Sequence, residues 1–286
     1  MLHVPERREI WGSDLVLLKI VFSAVLIYGL VVASLYLFQR RILFVPGTTP
    51  LDREAVGVPD MNDADLITDD GLTLRSWYRA AMPRRPTIVY FQGNAGTIGG
   101  RGFKARPLMD HGYGVLLVGH RGYGGNPGFP SESGLIDDGR AALKFLAAQG
   151  VRAKDIILYG ESLGSGVAVA LAAGMSDEEP PGAIILEAPF TSIVEIAASR
   201  YRFVPVRFLI KDRFDSLARV DQIHSPMLIL HGARDGVIDS QQGKTLYEAA
   251  NEPKQFVLFD EGRHSDLYDH GALEAVVGFV DNLWDN

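Results

Sequence analysis

Apolar residues fall along this chain in three textures. The first is one uninterrupted run, "IVFSAVLIYGLVVASLYLF" at residues 20–38, with Lys19 before it and Arg40 and Arg41 after it. A helix needs roughly 20 such residues to cross a hydrocarbon core about 30 Å thick. The run therefore predicts a single membrane-spanning helix over residues 15–39, behind an N-terminal segment of residues 1–14. A cleaved leader is the competing reading, with Val31 and Ala33 as its small-residue cleavage site. The long stretch before the run and its continuation through Leu35 to Phe38 favour a retained anchor. Arg7, Arg8 and Lys19 on one flank balance Arg40, Arg41 and Arg53 on the other, so the positive-inside bias selects no orientation.

The second texture is alternation. "ADLITDDGLTLRSWYRA", residues 64–80, reads as two β-segments around the turn Asp70-Gly71, a hairpin suited to a sheet edge. Between it and the apolar run, residues 40–63 are rich in Pro, Gly and Asp and predict an extended surface connector, so the folded domain is expected over residues 64–286. The third texture is a series of short apolar runs without alternation: "TIVYF" 87–91, "GVLLVG" 114–119, "DIILYG" 155–160, "AIILEA" 183–188, "PMLILHG" 226–232 and "QFVLFDEG" 255–262. Such runs suit strands buried on both faces. Helical stretches are predicted near 98–110, 132–149, 163–174, 240–251 and 271–283, which makes an α/β chain with a mostly parallel sheet. Residues 190–222, including "SRYRFVPVRFLIKDRF", form a short cap excursion between two strands. They either line an acyl pocket near a membrane surface or pack Phe203, Phe208, Leu209 and Ile210 onto the domain.

Composition narrows the chemistry. With 286 residues, 47% hydrophobic and 22% charged, the chain supports one sizeable core. No cysteine is present, which removes thiol nucleophiles, disulfides and cysteine metal sites together. A formal net charge of -7 offers no general attraction to phosphate backbones, so small neutral or lipid-like partners fit better than nucleic acid. Residues 100–105, "GRGFKA", match a degenerate dinucleotide fingerprint, but His120 and Arg121 stand where the ribose-binding acid belongs. His264, Asp266, Asp269 and His270 are clustered, yet lack the spacing of dedicated metal sites. No cofactor is expected.

The densest signal is "YGESLGSG", residues 159–166, where Ser162 lies between the "DIILYG" strand and a small-residue helix, inside a G-x-S-x-G pattern. So short a reversal strains the central residue, and glycines remove the Cβ atoms that would collide across it. Serine is a weak nucleophile that needs a histidine to take its proton and a carboxylate to orient that histidine. His264 follows the last predicted strand and Asp235 the one before it. Asp239 competes with Asp235 but precedes Ser240 as a helix-start signal, and His270 competes with His264 but lies further from the strand end. The backbone amides of Leu163 and of Asn94, in "QGNAGTIGG" after the "TIVYF" strand, are the expected oxyanion donors.

Together, "YFQGNAGTIGG", "GHRGYGGNPGFPSESGL", "YGESLGSGVAVA", "LILHGARDGVID" and "DEGRHSDL" resemble the membrane-anchored serine-hydrolase branch of the α/β-hydrolase superfamily. The resemblance implies an eight-stranded, mostly parallel sheet with helices on both faces, and hydrolysis of an ester, thioester or amide through an acyl-enzyme. Lipid esterases, protein depalmitoylases and serine peptidases are all related branches, and fold alone does not choose among them. An acyl ester or thioester hydrolase is the leading expectation. A serine peptidase and a catalytically silent membrane-tethered scaffold are the alternatives. One departure stands out: many relatives begin the oxyanion loop with His-Gly, where this chain has Gln92-Gly93, so a different loop polarity is expected.

Overall fold

The computed structural model describes residues 10–48, 52–175 and 178–284. The expected N-terminal segment thus lies mostly outside the described residues, as do connector residues 49–51. The chain begins with α1 (Ile10–Leu43) and the two-residue β1 (Val45–Pro46), then the hairpin β2 (Asn62–Ile67) and β3 (Thr73–Arg79), β4 (Thr87–Phe91) and the short β5 (Ala95–Gly96). After these come α2 (Gly102–Asp110), β6 (Gly114–Leu117), α3 (Glu132–Ala148), β7 (Ile156–Glu161), α4 (Leu163–Gly174) and β8 (Ala183–Glu187). The cap helices α5 (Ile193–Arg200) and α6 (Val206–Leu209) precede β9 (Met227–Gly232), α7 (Ser240–Ala249), β10 (Lys254–Phe259) and α8 (Ala272–Trp284).

Eight strands form one sheet in the order β10-β9-β8-β7-β4-β6-β3-β2, and only β3 runs against its neighbours. The non-alternating apolar runs are explained by burial on both faces, because successive side chains of a strand point to opposite sides. In β7, Ile156 and Leu158 pack with α3 and α4, whereas Ile157 and Tyr159 pack with α2 and α8. This is the α/β-hydrolase fold.

Four expectations need correction. The helix does not stop at residue 39 but continues to Leu43, with Arg40 and Arg41 in its last turn, where cations complement the helix dipole. The domain does not begin at residue 64, which falls inside β2. The connector is no mere surface strap either: Phe44, Val58 and Met61 are buried in the core, and a Cβ on Gly102 would stand 2.3 Å from the Val56 carbonyl oxygen. Sparse apolar residues among Pro and Asp gave no periodic signal of this burial. Finally, β10 is an edge strand with one neighbour, so its residues are half-exposed rather than buried on both faces.

Candidate active site

The turn from β7 to α4 has one residue, Ser162, at φ 50° and ψ −117°. A non-glycine residue in this left-handed region costs on the order of 1–3 kcal/mol. Close packing over-determines it: a Cβ on Gly160 would lie 2.5 Å from the Gly164 carbonyl oxygen, and one on Gly164 would lie 2.1 Å from that of Phe91. The Ser162 amide donates to the Glu187 carbonyl (2.8 Å) and its own carbonyl accepts from the Ser165 amide (2.8 Å). The side chain is thereby held at the carboxyl edge of the sheet, where loops converge.

Three distant segments meet there. His264 Nε2 lies 2.9 Å from Ser162 Oγ, and His264 Nδ1 lies 2.7 Å from Asp235 Oδ2. The other oxygen of Asp235 accepts from the amides of Val237 (2.7 Å) and Ile238 (2.8 Å), while His231 Nε2 approaches Oδ2 at 3.4 Å. Burial alone raises the pKa of Asp235, but hydrogen bonds from His231, His264 and the Ile238 amide outweigh it and hold the carboxyl well below the usual range. An ionised Asp235 accepts a hydrogen bond from Nδ1–H and leaves Nε2 free to accept from the serine hydroxyl. The competitors lie elsewhere. Asp239 caps α7, accepting from the Gln241 amide at 2.9 Å, and His270 ends a turn before Gly271, 3.9 Å from Asp266.

Asn94 and Leu163 line the same cavity as Ser162. Leu163 opens α4, where backbone N–H groups have no partner within the helix and the dipole is positive. Asn94 is fixed from the other side: its Nδ2 donates to the Leu43 carbonyl (2.9 Å), and its carbonyl accepts from the Val45 amide (2.8 Å) and the Tyr123 hydroxyl (2.9 Å). The loop backbone lies against the serine, since a Cβ on Gly93 would stand 3.4 Å from Ser162 Cβ. Gln92 points away, buried beside a separate small cavity with Arg75, Thr97 and Tyr123. Gln92, where many relatives carry histidine, is thus absent from the lining of the cavity that holds Ser162.

Sequence reasoning missed a buried ionic quartet beneath the turn. Glu161 receives two bonds from Arg101 (2.8 and 3.0 Å) and one from the Tyr90 hydroxyl (2.5 Å). Lys104 donates to Glu187 (2.7 Å), lies 3.4 Å from Glu161, and Glu187 also accepts from Tyr159 (2.7 Å). Burial raises the pKa of Glu161, but the charges of Lys104 and Arg101 dominate and bring it down to about 2. Two charges of each sign leave the ground under Ser162 neutral. The available signal was Glu161 and Glu187 ending apolar strands, and two cations in the "GRGFKA" stretch rejected as a fingerprint.

Above Ser162 lies a cavity of about 280 Å³. Its walls are largely apolar, and beyond the residues around Ser162 they include Leu35, Tyr36 and Ile42 of α1 and Ile193, Val206 and Leu209 of the cap.

Comparison with known proteins agrees with this architecture. A family model described as serine aminopeptidase, S33 matches residues 83–211 and 206–271. The α/β hydrolase domain-containing protein WAV2 of Arabidopsis thaliana is 30% identical over 276 residues, 88% of each chain. The lysophosphatidylserine lipase ABHD12 of Danio rerio is 36% identical over 228 residues, 70% of this chain and 59% of its own. An esterase of Pyrococcus furiosus, Pf2001, superposes with a TM-score of 0.67 at 17% identity, over 85% of this chain and 98% of its own. With fold, strand order and sequence in agreement, the chain belongs to the α/β-hydrolase family and is a hydrolase.

Proposed function

We propose that the protein hydrolyses acyl esters or thioesters of lipid-like substrates by a Ser-His-Asp mechanism, held at a membrane by α1. One observation carries this reading: the hydrogen-bonded chain Ser162–His264–Asp235 opens onto a largely apolar cavity. Ser162 Oγ attacks the substrate carbonyl carbon as its proton passes to His264 Nε2, and the imidazolium is stabilised by Asp235. The oxyanion accepts from the Asn94 and Leu163 amides, each such donor being worth about 3–4 kcal/mol in the transition state. His264 protonates the departing alcohol or thiol. Water, deprotonated by His264, then attacks the acyl-serine ester, and His264 returns that proton to Ser162 Oγ as the acid departs.

The name of the matching family model favours a second reading, a peptidase. A carboxylate able to hold a peptide amine would support it, but the carboxylate on the cavity wall, Asp212, is already engaged by Arg40 (2.7 and 3.0 Å) and the Glu132 amide (2.9 Å). The lipase named among the relatives supports the ester reading. Anchorage is supported by α1 itself, whose apolar side chains, such as Leu26 and Ile27, are more than half exposed.

The test is labelling of the full chain by a fluorophosphonate, followed by turnover of acyl esters and peptide amides. Wild type labels and prefers esters, and Ser162→Ala does neither. Labelling that survives Ser162→Ala overturns the mechanism.

A further inference from the structure

The cap does not stand above α1 but lies along it. The Phe203 carbonyl accepts from the Tyr28 hydroxyl (2.7 Å), and the Leu209 carbonyl from Gln39 Nε2 (3.1 Å). Gln39 Oε1 accepts from the Lys211 amide (2.8 Å), and Lys211 Nζ lies 4.2 Å from the centre of the Tyr36 ring. Tyr28 lies about 15 Å along the helix axis from Phe38, the end of the apolar run. The apolar run from residue 20 to residue 38 is about 28 Å long, close to the thickness of a hydrocarbon core, about 30 Å. Even with its last turn standing clear of that core, a spanning α1 carries Tyr28 on the order of 10 Å into it.

Bonded to Tyr28 at residue 203 and to Gln39, just past the end of the apolar run, at residue 209, the cap segment rises along α1 from that depth to the edge of the core. Phe203 and Phe208 are each 90% exposed, and each lies at or next to a carbonyl bonded to α1. Single exposed apolar residues are ordinary, but these two project beside an apolar helix from a segment that also walls the cavity. The charges nearby are compatible with lipid: Arg207 is paired with Glu195 (2.6 and 3.1 Å), and the long stem of Arg202 lets its head reach the interface.

We propose that residues 201–209 are immersed in the leaflet beside α1, and that the cavity takes an acyl chain sideways from that leaflet rather than from water. This rests on the reading of α1 as an anchor and of Ser162 as the nucleophile. At about 280 Å³ the cavity lies just below the common range for ligand pockets, about 300–1,000 Å³, which suits one acyl chain rather than two. The helix is then a wall of the binding site as well as a tether.

The absence of cysteine makes the depth directly measurable. Full-length Phe203→Cys, Phe208→Cys and, as a control, Ile67→Cys on the edge strand β2 are spin-labelled in phosphatidylcholine vesicles. Relaxation by oxygen, which partitions into lipid, is compared with relaxation by a water-soluble nickel chelate. Positions 203 and 208 are expected to favour oxygen and position 67 nickel; a nickel preference at either cap position overturns the proposal, whatever the enzyme does. In a second arm, Phe203→Ser/Phe208→Ser lowers the ratio of vesicle-borne acyl-lipid turnover to soluble short-ester turnover tenfold or more. An unchanged ratio overturns sideways loading. A wild type that cleaves neither substrate and resists fluorophosphonate sinks the catalytic reading instead, and leaves the depth measurement to judge immersion alone.

Discussion

Ser162, His264 and Asp235 divide the proposed chemistry so that each has a separate signature. Replacing Asp235 by Asn reverses the hydrogen bond that sets the His264 tautomer, and kcat is expected to fall about 10⁴-fold with the substrate KM little changed. Steady-state kinetics on a soluble ester read this, and a loss below tenfold counts against the assigned role. The quartet beneath them is a matter of stability. Removing one partner of a buried ion pair leaves an uncompensated charge, so Lys104→Met is expected to cost about 3–5 kcal/mol in denaturant unfolding. Glu161 also shapes the acid limb. Its folded pKa, about 2, lies below the ordinary 4.5, so the unfolded chain takes up the proton first. The stability it contributes is complete above about pH 4.5 and is lost as the pH falls towards 2. Thermal denaturation of Glu161→Gln across that window should show a shallower decline than wild type; an equal slope assigns the acid sensitivity to other groups.

Among the elements, the β7–α4 turn is the most demanding. Adding a methyl at Gly164 drives it into the Phe91 carbonyl oxygen, 2.1 Å away. Overpacking a tight core commonly costs about 1–3 kcal/mol, and a backbone clash belongs at the top of that range. Gly164→Ala should therefore both destabilise the chain and slow labelling of Ser162, whereas Gly174→Ala, with open space around it, should do neither. This turn was legible in sequence because its requirement is local: a strand, one serine and small residues within a few positions. Glycine spacing alone did not reveal what each glycine touches, and for Gly164 that is β4, a strand about 70 residues earlier. The proposed oxyanion loop shows the opposite case. The place of Asn94 after β4 is legible in the sequence, yet what holds it is the Leu43 carbonyl, the Val45 amide and the Tyr123 hydroxyl, which no local pattern announces.

At the scale of the molecule, α1 and the segment after it belong to the folded unit. Phe44, Val58 and Met61 are each at most 3% exposed, and full burial of such side chains stabilises by about 1.5–3 kcal/mol apiece, roughly 5–9 kcal/mol together. That is comparable to the whole stability of a typical domain, about 5–15 kcal/mol. A chain cut to residues 64–286 also loses β1 and one cavity wall, and calorimetry is expected to show no cooperative transition; a transition like that of the full chain would mean these contacts contribute little. The run of apolar residues, the strand series, the strained turn and the order Ser, Asp, His were all determined by the sequence alone, because each is a pattern along one dimension. The tertiary structure alone decided that Phe44, Val58 and Met61 are core, that β10 is an edge, that four charges neutralise one another under Ser162, and that α1 shares a cavity with the cap. Burial and ion pairing depend on which distant segments become neighbours, and that is settled only when the sheet and helices pack.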